Sequence, residues 1–141
     1  MSTARWSTPG TVSANLNAGT ANSLANGSSS AFLTAYDNST NLDLYASVAV
    51  ALSSITPTSG GSISLSVFSG QGSTAPDNTA SVGGGDVYTV PLTAGASAKS
   101  VIFPMVRLYP QKCYISLTNN SGVTLGTGNT VYVQPFDESS A

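Results

Sequence analysis

Leu42-Asp43-Leu44-Tyr45-Ala46-Ser47-Val48-Ala49-Val50-Ala51-Leu52 is the stretch whose reading decides the fold. Leu42, Leu44, Ala46, Val48, Val50 and Leu52 fall on one side of an extended chain, and Asp43, Tyr45, Ser47, Ala49 and Ala51 on the other. That is a period of two, the pattern of a strand with one face in a core. The alanines would also suit a helix, but no N-cap followed by a helical apolar stripe is present. After the turn residues Thr56-Pro57-Thr58-Ser59-Gly60-Gly61, Ile63, Leu65 and Val67 alternate with Ser62, Ser64 and Ser66. This is a half-buried strand with a hydroxyl face, and it is expected to pair with the preceding strand as a hairpin.

Further strands are expected outward from this pair. Ala31–Tyr36 is a short apolar run ended by the turn cluster Asp37-Asn38-Ser39. Val87, Tyr88 and Val90 mark a strand over 86–92, and Val101, Ile102 and Phe103 another over 98–105. Pro104 places the end of the latter at an edge or a bend, and 106–109 continues it in short extended form. Cys113, Ile115 and Leu117 alternate with Tyr114, Ser116 and Thr118. After the turn Asn119–Gly122 comes a short piece, Val123–Leu125, and Val131 and Val133 mark a last strand over 130–136. Seven or eight short strands separated by turn signals read as an all-β, antiparallel β-sandwich of jelly-roll type.

Composition agrees. Only 7% of the 141 residues are charged, against about 25% in ordinary domains. Ser, Thr, Asn and Gly must supply the polar surface, and these residues favour turns and strand faces over helices. The four cations, Arg5, Lys99, Arg107 and Lys112, are too few and too scattered for a phosphate-binding stripe, so no nucleic-acid partner is expected. No apolar run approaches the roughly 20 residues that span a bilayer, so no membrane partner is expected either. The N-terminal MSTARWSTPG lacks the apolar core of a signal peptide, and the single Cys113 forms no intrachain disulfide. Both features predict synthesis in a reducing cytoplasm.

Two segments stand apart. Residues 1–30 carry few large apolar side chains and no sustained period, and read as an extended N-terminal arm preceding a sandwich domain over 31–141. Residues 69–85 form a long connection with little apolar content, longer than loops without a task usually are. Arg5 and Trp6 in the arm are candidate partner contacts, because Arg and Trp are favoured anchors of interfaces. Gln71, Asp77 and Asn78 are the polar candidates in the long connection.

Equipment for chemistry is sparse. The chain has no histidine, which removes the commonest general base and the Ser–His and Cys–His pairings. Cys113 sits among strand apolars and reads as a core residue rather than a thiolate nucleophile. Asp37-Asn38 and Asp77-Asn78 are weak oxygen pairs, short of a calcium loop. Gly83-Gly84-Gly85 lacks the lysine and helix of a phosphate loop. The six tyrosines would suit a sugar platform, but aromatics are equally at home in strands. No catalytic residue, metal or cofactor is expected.

The run Asn41–Tyr45, Pro57–Gly61 and Ser64–Phe68, followed by Asn119–Leu125, Gly128–Thr130 and Val131–Pro135, resembles the jelly-roll cement (decoration) proteins of tailed bacteriophages. The resemblance spans roughly residues 38–136 and rests on turn chemistry and alternation. It implies a structural protein on the outer capsid surface of a virion, made in the host cytoplasm. Its implied partners are the major capsid protein and further copies of itself, as a homodimer or a trimer, and it implies no catalytic or metal site. A carbohydrate- or receptor-binding sandwich module of a virion or tail is the alternative expectation.

Overall fold

The structure, a computed structural model, describes residues 4–12, 16, 18–72, 74–77 and 84–140. Its strands are β1 (Ala4–Trp6), β2 (Tyr36–Asp37), β3 (Tyr45–Ile55), β4 (Ser62–Ser69), β5 (Asp86–Pro91), β6 (Ser97–Arg107), β7 (Lys112–Asn120), β8 (Thr130–Phe136) and β9 (Glu138–Ser140). A single 3-10 turn, Ala18–Ala21, is the only helical element among the described residues.

Two antiparallel sheets face each other. The first has the order β6-β3-β8, the second β2-β7-β4-β5, and β1 pairs with β9. The chain changes sheet at every connection from β2 to β8 except β4 to β5, which is the winding of a jelly roll. Its first row is supplied by the N-terminal segment. The amides of Ser7, Gly10 and Leu16 donate to the carbonyls of Asp137, Pro135 and Val131, so this segment runs antiparallel along the free side of β8. Residues 27–37 run along β7 in the same way, through Gly27, Ser30 and Leu33 to β2. The compositionally distinct N-terminal thirty residues thus furnish rows of both sheets, and Leu16, Ala18 and Ala21 lie in the core.

Alternation sets which side chains meet between the sheets. Ala46, Val48, Val50 and Leu52 of β3, Val101, Phe103 and Val106 of β6, and Val131 and Val133 of β8 face inward from the first sheet. Ile63, Leu65 and Val67 of β4 and Cys113, Ile115 and Leu117 of β7 meet them from the second. Each Val, Leu, Ile and Phe among them stabilises by about 1.5–3 kcal/mol through burial. β6 is an edge strand and accommodates Pro104 at a bulge: Ala46 faces Val106 and Val48 faces Phe103, so Pro104 and Met105 together oppose Ser47.

Four local expectations are corrected. β3 and β4 do not form a hairpin. They belong to different sheets, and the connection Thr56–Gly61 crosses between layers. Leu42 and Leu44 are exposed, because buried Asn38 bonds to both backbone groups of Asp43 and holds the chain out of the strand. Leu42 there takes φ of 57°. The stretch expected as two pieces over 98–109 holds one bulged strand, Ser97–Arg107, and residues 108–109 lie outside it. Val123–Leu125 is not a strand. It turns over the buried Asn119, whose amide nitrogen donates to Val123 O at 2.7 Å and Leu24 O at 2.9 Å.

Asn119 also accepts from the Ser121 amide at 3.0 Å, so it joins two loops distant in sequence. Replacing it by alanine leaves the Ser121 amide without a partner and removes one of two bonds at each of the Leu24 and Val123 carbonyls, at a buried site. Asn119→Ala is expected to cost about 2–4 kcal/mol and to lower Tm by about 10 °C. Thermal unfolding followed by circular dichroism checks this.

Candidate interaction face

Charge is distributed unevenly along the strand direction. Asp37 ends β2, Asp43 precedes β3, Asp77 lies between β4 and β5, and Asp86 opens β5. Arg107 ends β6, Lys112 opens β7, Asp137 and Glu138 follow β8, and Arg5 lies on β1. The pairing of Tyr45 with Phe136 and Arg107, and of Ser69 with Cys113, puts these positions at one end of the sandwich. Six carboxylates and three cations gather there, a formal −3, and Lys99 brings the chain to −2. Lys99 is buried, with Nζ donating to the carbonyl of Gly95 at 2.9 Å inside the β5–β6 turn.

The opposite end is built from amides, hydroxyls and glycines that bond among themselves. Buried Asn129 donates to the carbonyl of Gly126 at 2.9 Å and accepts from the Ser53 amide at 3.1 Å. Gly61 backs onto the Ser121 carbonyl so closely that a Cβ would sit 2.6 Å from it. This end is fixed, and among the described residues its one charged side chain is the buried Lys99.

The outer face of the first sheet is different again. Rows cross it from β6 through β3 to β8: Ile102–Ala49–Tyr132, then Met105 and Pro104 with Ser47 and Gln134, then Arg107–Tyr45–Phe136. Trp6 closes the last row. Its ring meets Phe136 edge-on at 5.5 Å and Tyr45 at 6.2 Å. Tyr45 and Phe136 stack at 5.8 Å. Ile102 is 47% exposed, Met105 44% and Trp6 57%. A groove of about 480 Å³ runs over Ser47 between Pro104–Met105 and Trp6–Pro9–Phe136. Contiguous exposed apolar surface of this kind marks interaction sites.

The expected contact residues divide between the two sheets at the charged end. Trp6 and Arg5 lie beside β9, Trp6 at the corner of the apolar face, so its sequence signal pointed to this face. Gln71 and Asp77 are exposed after β4, where Gln71 closes a small bridge with Thr74. Asn78 lies outside the described residues. The strip formed by Ile102, Met105, Ala49 and Gln134 was missed, because in the sequence these residues read as ordinary members of strands.

The remaining ionisable groups hold structure. Tyr109 donates to Asp86 Oδ2 at 2.7 Å, and this bond with burial pushes its phenol up to about 12. Burial pushes the Cys113 thiol up, in keeping with a core residue. Ser39 bonds to Asp37 and lowers its carboxyl. Asp43 is raised, first by burial and then by the neighbouring Asp137 carboxylate, and its Oδ2 is buried with no hydrogen-bond partner. Among the described residues no group of three or more metal-ligating side chains occurs.

The raised Asp43 sets a pH dependence. The native chain keeps this proton to higher pH than the unfolded chain, so its contribution to stability falls as pH rises through that window and is restored in acid. Asp43→Asn, which keeps the shape without the charge, is expected to raise Tm by about 1–3 °C at neutral pH. It should leave Tm unchanged where Asp43 is protonated, and a pH series of melting curves checks this.

No family model matches the chain, and no curated protein or solved structure matches it.

Proposed function

We propose that the chain is a structural virion protein that binds the outside of an icosahedral capsid and cements neighbouring capsomers, acting as a homodimer. The observation that carries this reading is the uncharged, largely apolar outer face of the first sheet, set on a rigid sandwich whose ionic groups are gathered at one end. Desolvating such a face costs little, because few of its groups need replacement hydrogen bonds. A protein that binds only the assembled shell stabilises it by mass action, so it needs complementary surface rather than reactive groups. The family resemblance of the turn and strand segments supports the same reading.

One observation favours a second reading. Trp6, 57% exposed beside Gln134 and Ser47, offers an aromatic shelf with polar neighbours, as a sugar-binding module would.

Co-sedimentation of the purified chain with expanded and unexpanded shells of the phage that encodes it tests the first reading. Saturable binding to expanded shells, with an increase in shell melting temperature, is expected. Absence of binding to either shell overturns it. Saturable binding to one glycan on an array, abolished by Trp6→Ala, would establish the second reading instead.

A further inference from the structure

We infer that the free side of β8 and β9 is a strand-accepting site whose ligand is the peptide of residues 4–12, supplied here by the chain's own N-terminal segment and equally by that of a neighbouring copy. The inference goes beyond the capsid reading and does not rest on it.

Main-chain bonds define the seat. β3 occupies one side of β8, so the other side would present unpaired amides and carbonyls if residues 4–12 were lifted away. The amides of Ser7 and Gly10 donate to the carbonyls of Asp137 and Pro135, each at 2.7 Å. β1 continues the seam along β9, from Trp6 facing Glu138 to Ala4 facing Ser140. Two side chains strengthen it: the Asp137 amide donates to Ser7 Oγ at 2.8 Å, and Gln134 Nε2 donates to the Gly10 carbonyl at 3.1 Å. In strand addition, bonds of the main chain supply affinity and side-chain contacts supply specificity.

Two positions select the sequence. Trp6 sets its ring edge-on against Phe136 and Tyr45. Four residues on, Gly10 lies so close to Pro135 that a Cβ would meet its Cγ at 2.9 Å and its carbonyl oxygen at 3.3 Å. The seat therefore takes a tryptophan followed four residues later by a glycine. The chain has a single tryptophan, so another copy of residues 4–12 is the occupant that meets both requirements.

The segment is separable from the fold that carries it. Of residues 5–12 only Ser7 is partly buried, and the core begins at Leu16. Lifting the segment removes no side chain from the core. Seating it on a second copy remakes the same bonds and ring contacts, so concentration decides between the two arrangements. A segment tethered beside its own seat has an effective concentration on the order of 1 mM, so at about 0.1 mM chain about one seat in ten is filled by a neighbour. Each seat takes one segment only. Three residues of the segment, from Ser7 to Gly10, span two of its partner, from Asp137 to Pro135, which makes a bulge at Thr8 and Pro9. A bulge and a proline on the outer edge both discourage a further strand.

Cysteine pairing in the full chain tests this. Arg5 and Ser139 are Cα partners, and antiparallel partners lie within the separation that a disulfide spans. Arg5→Cys and Ser139→Cys are made on separate chains, one of them mass-tagged, and mixed at about 0.1 mM each in oxidised glutathione. The native Cys113 is buried and stays out of the exchange. The mixed disulfide is expected to form about tenfold faster than that between Arg5→Cys and Val87→Cys, whose cysteine stands at an exposed position of β5. Synthetic ARWSTPGTV, residues 4–12, at about 2 mM should lower its yield about threefold by filling the seat, and the same peptide carrying Trp6→Ala and Gly10→Val should not. Circular dichroism matching the parent confirms that the variants fold. A mixed disulfide no faster than the Val87→Cys control, or one that the parent peptide leaves unchanged, overturns the inference. Neither readout involves shells, so this inference and the capsid reading stand or fall separately.

Discussion

The register of β3 is the constraint on which the rest of the molecule depends. This strand is hydrogen-bonded along both sides, to β6 and to β8, and its inward side chains face β4 and β7. A slip of one residue would carry Tyr45, Ser47, Ala49 and Ala51 into the core and expose Val48 and Val50. No neighbouring strand could compensate, because Val101, Phe103, Val131 and Val133 are matched to the same pleat. Once β3 is fixed, the bulge at Pro104 and Met105, the row order on the outer face and the sorting of loops to the two ends all follow.

Scarcity of charge has a structural counterpart. Nine of the ten Asp, Glu, Lys and Arg side chains lie at the end defined by the 38–44, 70–85 and 108–111 connections. They hold most of the strongly hydrated surface. At the other end, polarity is met internally: Asn119, Ser121 and Asn129 are buried and bonded to backbone. Bonds of this kind contribute about 1 kcal/mol each, but leaving one unmade costs more, which locks the loops to one arrangement. The two ends are thus stabilised by different physics, ions in water on one side and satisfied amides on the other.

How far the sequence disclosed this depends on the kind of signal. β4, β7 and β8 were legible because their alternation is unbroken and bounded by turn residues; the period assigns their buried apolar positions, but not Ser64, Ser66 and Phe68 of β4 or Ser116 of β7, which are buried on the face expected to be polar. Period two reports which face is buried but not which sheet a strand joins, so β3 and β4 read as a hairpin. The N-terminal segment showed no period because it is held mainly by backbone bonds to β8 and by the Trp6 rings, which leave little trace in side-chain patterning. Asn119 and Asn129 read as turn formers. Their burial depends on Leu24, Ala21 and Asn22, about a hundred residues away, and no local reading reaches that far. Trp6 was legible as an anchor, but the face it borders was not, because Ile102 and Met105 differ from core residues only in the direction they point.

The outer faces of the two sheets show why one of them is the better candidate for contact. On the second sheet, Ser64 and Thr89 bond to each other at 2.8 Å, and Ser29 and Thr118 at 2.7 Å. Phe32 packs against Phe68 and Tyr114 at 5.4 and 5.5 Å, so its aromatic surface is largely used within the chain. Hydroxyls already paired gain little from a partner, and rings already packed have little area left to bury. The first sheet reverses this: Ile102, Met105 and Trp6 stand out from it, and its central strand offers only small side chains beneath them. Burial of that unpaired apolar area is the largest favourable term that association of this chain has at its disposal.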